Sequence, residues 1–271
     1  MPRFAVSPVA HEAVADALTQ LRERSPLVQC LTNIVVANFT ANALLAAGAS
    51  PAMVDNPDEA AAFARLAGGV LVNLGTPYPD TARAMASAAS SAHAAGVPWV
   101  LDPVAAGVLG WRTGIARELL AGQHPAIIRG NASEIIALAG GAGGRGVDSL
   151  VGAEQAVDAA VALATQHATV VAVSGEVDVL TDSRRIVRLA NGHPLLTRIT
   201  GAGCALGALM AAFAAVVPDP LLAAAAATTL LNVAAERAAA QTAGPGSFAV
   251  ALIDQLHALP PQALADQLRQ P

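Results

Sequence analysis

Four short groups of small and polar residues interrupt a largely apolar chain, and the most telling is Thr200-Gly201-Ala202-Gly203-Cys204, set before a long apolar run. Two glycines around an alanine let successive backbone N–H groups point at one spot. A helix starting there adds the positive end of its dipole, so the segment can form an anion hole. At the γ-phosphoryl oxygens of a nucleotide, such preorganised donors stabilise a transition state by roughly 3–4 kcal/mol each. The same residues would also suit a turn that merely lets a helix approach a sheet. Cys204 falls in the first helical turn, where the dipole is expected to lower its pKa and let it accept a hydroxyl proton. Read alone, it could equally be a small buried hydrophobe.

The other groups are Thr32-Asn33, Asp102-Pro103 and Arg129-Gly130-Asn131-Ala132-Ser133-Glu134. Asn131 and Glu134 stand one helical turn apart, so both can face one cleft and hold hydrated Mg²⁺, which prefers one or two carboxylates plus phosphate oxygens. They would also make a capping box, with Asn131 as N-cap and Glu134 at N3. Asp102 is the second candidate carboxylate for the metal, or a turn former before Pro103.

The chain has 15 basic residues, all of them Arg, against 20 acidic ones, for a formal charge of −5. Any cationic contact to phosphate must therefore use Arg, and a Lys nucleophile is excluded. A G-x-x-x-x-G-K-[S/T] loop is ruled out by the missing lysine, and no G-x-G-x-x-G opens a helix after the first strand. The largest basic cluster, Arg184-Arg185-x-x-Arg188, is too small for a nucleic-acid or anionic-membrane surface. Residues Met1 to Leu18 lack the basic start and apolar core of a signal peptide. The longest apolar runs, Cys204 to Val217 and Leu221 to Leu231, are too short to span a bilayer. Cys30 and Cys204 lie far apart, so reduced thiols in a cytoplasm are expected.

These residues need elements to hold them. Hydrophobic residues make up 54% of 271 and charged ones 13%, which is ample for one large α/β domain spanning residues 1–271. Short β-rich runs alternate with Ala-rich helical runs, the pattern of βα units around a mostly parallel sheet with helices on both faces. The periodicity predicts strands over Leu27–Leu31, Ser50–Val54, Gly69–Leu74, Trp99–Asp102 and Ala126–Arg129. It predicts helices over His11–Arg24, Val35–Ala47, Pro57–Leu66, Pro79–Ala95, Trp111–Leu120 and Ala132–Ala139. Gly140–Asp148 reads as a surface loop before a helix over Gly152–Gln166. Thr169–Ser174, Val177–Thr181 and Arg184–Ala190 then read as an antiparallel meander at one sheet edge. Helices over Pro220–Thr242 and Ser247–Leu259 finish the chain. In such a sheet, ligands gather outside the carboxyl ends of the strands, where all four groups fall.

The ordered set Cys30-Leu-Thr-Asn33, Phe39-Thr-Ala-Asn42, Gly48-Ala-Ser-Pro51-x-Met53, Asp102-Pro-Val-x-x-Gly107, Arg129-Gly-Asn-Ala-Ser-Glu134, Val173-Ser-Gly-Glu176 and Thr200-Gly-Ala-Gly-Cys204 resembles the hydroxyethylthiazole kinase family over about Leu27 to Ala215. The resemblance implies a ribokinase-like three-layer sandwich and a homotrimer with active sites between subunits. It also implies transfer of phosphate from ATP, with Mg²⁺, to 4-methyl-5-(2-hydroxyethyl)thiazole. It assigns Met53, Gly201, Asn33 and Val35 to the thiazole, and Arg129, Ser174 and Asn131 to ATP. Asp102 and Glu134 go to magnesium and its waters. Cys204, with Gly201, Ala202 and Gly203, goes to the transfer step. In the wider ribokinase-like group the position of Cys204 is usually aspartate, and cysteine there is typical of the thiazole branch. A kinase of the same fold acting on the hydroxymethylpyrimidine of the same pathway, or a non-catalytic thiazole or nucleotide sensor, are the rival readings. Asp55, His193 and Arg198 are left without a role.

Overall fold

The computed structural model describes residues 5–141 and 152–271. Its strands are β1 (Ala5–Val6), β2 (Leu27–Leu31), β3 (Ser50–Ala52), β4 (Gly69–Asn73), β5 (Trp99–Asp102), β6 (Ile127–Asn131), β7 (Val170–Ser174), β8 (Asp178–Thr181) and β9 (Arg185–Leu189). All nine join one sheet in the order β1-β9-β8-β7-β6-β5-β4-β2-β3. Pairing is parallel except where β8 runs antiparallel to β7 and to β9. The meander expected from Ala168 onward is present. Outside it lies β1, which sequence patterning missed because two residues carry no period; it pairs parallel with β9.

The helices are α1 (His11–Arg24), α2 (Ala37–Ala47), α3 (Ala60–Ala64), α4 (Pro79–Ala95), α5 (Gly110–Gly122), α6 (Ala132–Leu138), α7 (Val157–His167), α8 (Ala202–Ala214), α9 (Pro220–Ala239), α10 (Pro245–Ala258) and α11 (Pro261–Gln267). They form two layers. Leu71, Val100, Ile127, Val170 and Ala172 face one core with α1, α2, α8, α9 and α10. Their neighbours Val70, Val72, Trp99, Leu101, Ile128, Val171 and Val173 face a second core with α3 to α7. The strict alternation along each strand explains why the strands read as continuous apolar runs: both faces are covered.

Several boundaries differ from expectation. The strand expected over Ser50–Val54 stops at Ala52, and the carbonyl of Val54 is taken instead by the Gln29 side chain at 2.9 Å. The helix expected from Pro57 begins at Ala60, because the Asn56 side chain accepts from the N–H of Asp58 at 2.9 Å and makes a turn there. Most of the loop expected over Gly140–Asp148 lies outside the described residues. The helix expected over Gly152–Gln166 opens as a 3₁₀ turn, Ala153–Ala156, before α7. A 3₁₀ turn at Pro194–Arg198 and helix α11 were not anticipated. Among the described residues no helix is long and apolar enough to cross a membrane.

Helix α8 packs closely on the sheet. A Cβ at Gly69, the first residue of β4, would collide with the carbonyl oxygen of Ala211 on α8, and one at Gly68 would come within 3.3 Å of the Ala215 methyl. On the helix side, a Cβ at Gly207 would meet Leu71 Cδ1 at 3.0 Å. Glycine is needed at Gly69 for space, since the obstacle is backbone that cannot rotate away. Gly69→Ala is expected to lower stability by about 1–3 kcal/mol, the usual range for overpacking, read as a lower urea midpoint. An unchanged midpoint would show that α8 does not press on β4.

Candidate functional site

Four parallel strands deliver polar side chains to one end of the sheet. β4 ends in Asn73, β5 in Asp102, β6 in Arg129-Gly130-Asn131 and β7 in Ser174. Asn73 pairs in register with Asp102, and Asn131 with Ser174. Thr32 and Asn33 follow β2 directly, and Gly201, the N-cap of α8, sits over the same end. Gly201 has φ +91°, and a Cβ on it would fall 2.9 Å from Val36 Cγ1, so both conformation and space call for glycine. The first N–H groups of α8 have no partners within the helix.

Arg129 is the cation of the site. Its Nη1 donates to Asp102 Oδ1 at 3.3 Å and its Nη2 to Ser174 Oγ at 3.1 Å, while its buried Nε has no hydrogen-bond partner among the described residues. The guanidinium lies against the first turn of α8: a Cβ at Gly203 would come within 2.7 Å of Nη1. Gly203 is thus small because a charged side chain occupies its space. Burial works against the charge of Arg129, but Asp102, Glu134, Cys204 and Asp178 together raise its pKa. Asp102 is fully buried, and burial pushes its pKa up to about 6 despite Arg129 and the hydrogen bond from Asn73.

Cys204 belongs to the same network through amides. Asn73 Nδ2 donates to Asp102 Oδ2 at 2.6 Å, and Asn73 Oδ1 accepts from Asn33 Nδ2 at 3.0 Å. Asn33 Nδ2 also reaches Cys204 Sγ at 3.5 Å. The expectation of a lowered cysteine pKa is overturned. Burial, and then the negative charge of Asp102, push Cys204 up to about 11, outweighing Arg129 and the two amides. The thiol is protonated at neutral pH, because helix-end stabilisation is small beside desolvation of a sulfur anion.

Asn131 and Glu134 form the capping box: Asn131 Oδ1 accepts from Glu134 N at 3.0 Å, and Glu134 Oε2 accepts from Asn131 N at 2.9 Å. Glu134 Oε1 accepts from the N–H of Ala105 at 2.8 Å, tying it to the loop after Asp102. Ala105 has φ +63°, a strained value for a residue with a Cβ. Glu134 is 4% exposed and raises the pKa of Asp102, so two like charges share a small buried volume. The donors suit Mg²⁺: among the described residues each carboxylate oxygen is engaged by a single N–H and keeps a second lone pair, and all are hard oxygens. Among the described residues no group of three or more acidic, His or Cys side chains could cage a metal unaided.

Asn33, Asp102, Arg129, Asn131, Glu134, Ser174, Gly201, Ala202, Gly203 and Cys204 are therefore gathered at one place. Met53 and Val35 are not joined to this network. They are 38% and 62% exposed, with Ile34 beside Val35 at 76%. Of the residues left without a role, His193 caps the turn at Pro194–Arg198 by accepting from Leu195 N, and Asp55 and Arg198 are exposed. Sequence reasoning missed Asn73 and Asp178. Asp178 accepts from Gly175 N at 2.9 Å and from Asn232 Nδ2 at 2.7 Å, and so braces the turn after Ser174. The available signal for Asn73 was a lone polar residue closing the apolar run Gly69–Asn73.

Comparison with known proteins agrees with this geometry. The family model for the hydroxyethylthiazole kinase family matches residues 18–262. A hydroxyethylthiazole kinase of Kineococcus radiotolerans is 59% identical over 269 residues, 99% of this chain and 98% of that one. The solved structure of the hydroxyethylthiazole kinase protein from Pyrococcus horikoshii OT3 superposes with a TM-score of 0.88 at 40% identity, covering 96% of this chain and 98% of that one. A ribokinase-like superfamily protein from Enterococcus faecalis V583, with a TM-score of 0.63 at 10% identity over 93% and 95% of the two chains, shares the fold alone. With the matched span, the identity and the superposition in agreement, the chain belongs to the hydroxyethylthiazole kinase family.

Proposed function

We propose that this chain transfers the γ-phosphoryl group of ATP to the hydroxyl of 4-methyl-5-(2-hydroxyethyl)thiazole, in thiamine salvage. The observation that carries the reading is the meeting of Arg129, the first turn of α8 and Cys204 over one strand end. Arg129 and the N–H groups of Gly201, Ala202 and Gly203 face the place where phosphoryl charge is spread in a loose transition state. Asp102 and Ser174 hold the guanidinium in orientation. The acceptor alcohol lies at Cys204 and Asn33; its oxygen forms the new bond to phosphorus as the bond to the ADP oxygen breaks, and its proton leaves late, to an oxygen of the transferred phosphoryl group and from there to water. A thiol that stays protonated orients the alcohol rather than deprotonating it.

Asp102 and Glu134, with Asn131 beside them, are the residues that would hold Mg²⁺ and its waters, and that ion would neutralise phosphate charge. Met53, Val35 and Gly201 would line the thiazole pocket. Because Val35 and Met53 stand exposed, we read the pocket as completed by a neighbouring subunit of a homotrimer. We read residues 1–271 as one kinase domain working in the cytoplasm with its two thiols reduced. A pyrimidine-directed kinase of this fold is less well supported, because it would more commonly place aspartate where Cys204 stands.

Coupled ADP release is expected with the thiazole alcohol and Mg-ATP, and is expected to fall sharply with the hydroxymethylpyrimidine. Turnover with the pyrimidine alone would overturn the substrate assignment. Cys204→Ala is expected to lower kcat about 10²-fold, the scale of a misplaced reactant, with the KM for ATP little changed; wild-type kcat would remove the thiol from the mechanism. Arg129→Ala is expected to raise the KM for ATP and cut kcat/KM by roughly 10²–10³, and steady-state kinetics with an unaltered KM for ATP would contradict its place at the phosphates.

A further inference from the structure

Asn73 stands between the carboxylate proposed for the metal and the amide proposed for the alcohol, and its orientation is set by a group that cannot be turned round. The backbone N–H of Gly75 donates to Asn73 Oδ1 at 3.0 Å. A main-chain N–H only donates, so that atom is the amide oxygen and its partner is the nitrogen. The assignment agrees with the 2.6 Å contact from Asn73 Nδ2 to Asp102 Oδ2, where a carboxylate oxygen accepts. The oxygen of Asn73 then requires a donor from Asn33, and meets Nδ2 at 3.0 Å. The second hydrogen of Asn33 Nδ2 goes to Cys204 Sγ at 3.5 Å, making the sulfur an acceptor on that side.

Both hydrogens of the Asn33 amide are thereby used inside the protein. Its oxygen takes no hydrogen bond from any described residue, and it is not among the buried polar atoms without a partner, so it is open to solvent. Gly75 closes the socket from the other side: a Cβ there would run into the Asn33 amide, with Cγ at 2.6 Å and Cβ at 2.8 Å. Asn73 is fully buried and Asn33 7% exposed.

We infer that Asn73, with Gly75, is a positioning residue for the acceptor alcohol: it locks the Asn33 amide so that Oδ1 faces the substrate as an acceptor and Cys204 receives Nδ2. This rests on the proposed function. It selects for an acceptor group that donates a hydrogen bond, as a hydroxyl does, against an ether of the same size. The socket discriminates through a buried polar group left unpaired by the wrong ligand.

The test is a double-mutant cycle with Asn73→Leu, Asn33→Ala and the double variant, measuring KM for the thiazole alcohol, kcat, and binding of a non-hydrolysable ATP analogue by calorimetry. Asn73→Leu is expected to raise the KM for the alcohol and lower kcat/KM for it about 10²-fold; because it also removes the hydrogen bond to Asp102, nucleotide affinity is read on Gly75→Ala, where it is expected to stay within about threefold of wild type. The double variant is expected to lie within about threefold of Asn33→Ala, since Asn73 acts through it. Losses that multiply, or a loss confined to nucleotide binding, would overturn the inference. If Asn73→Leu does not fold, Gly75→Ala displaces the same amide without touching Asp102 and is expected to raise the KM for the alcohol, with nucleotide binding retained; an unchanged KM would overturn the inference. A wild-type protein that phosphorylates the alcohol while the cycle is additive refutes the socket alone, whereas no wild-type turnover refutes the assigned reaction.

Discussion

The contact between Gly69 on β4 and the backbone of α8 governs everything at the strand ends. A helix packed through Leu or Phe would be held off the sheet by the bulk of those side chains. Here small residues meet on both sides, Gly68 and Gly69 below and Gly207, Ala211 and Ala215 above, and the helix settles closer. Its first turn therefore arrives at the side chains closing β4, β5 and β6. Gly201 can turn the chain into α8 only by adopting φ +91° against Val36. The Ala-rich composition of the C-terminal helices is the same constraint extended through a layer: Ala223 to Ala227 on α9 are all buried.

Bringing that turn close places a helix N-terminus, Arg129, Asp102 and Glu134 in one largely buried volume. Burying charges is costly unless they are paired and hydrogen-bonded. The arrangement answers this locally: Asp102 is met by Arg129 and Asn73, Glu134 by two backbone N–H groups, and Arg129 by Asp102 and Ser174. Among the described residues the buried Nε of Arg129 remains without a hydrogen-bond partner. Glu134, whose charge raises the proton affinity of Asp102, and a cation lying on a positive helix end together make the volume proposed above for a phosphate chain and a divalent cation.

The elements were mostly legible because each buries apolar residues with a clear period. β4, β5 and β7 are apolar up to one closing polar residue, and α1 and α4 carry their buried residues at helical spacing. What escaped was too short to show a period, such as β1, or was ended by a side chain rather than by composition, as Gln29 ends the strand after Ala52. The polar groups stood out for the converse reason: Asp102, Arg129 and Glu134 are charges in a chain with few of them, each next to a strand end.

The sequence by itself determined the alternation of strands and helices, the restriction of any cationic contact to phosphate to arginine, and the identity of nearly every polar residue at the site. Tertiary structure alone decided what those residues do to one another. Asn73 and Asn33 are 40 positions apart and Asn33 and Cys204 are 171 apart, so no local pattern encodes their hydrogen bonds. The proton on Cys204 was decided the same way. A helix start taken from the sequence argues for a thiolate, and burial beside Asp102, visible only in the folded chain, holds it as a thiol because desolvation outweighs the dipole.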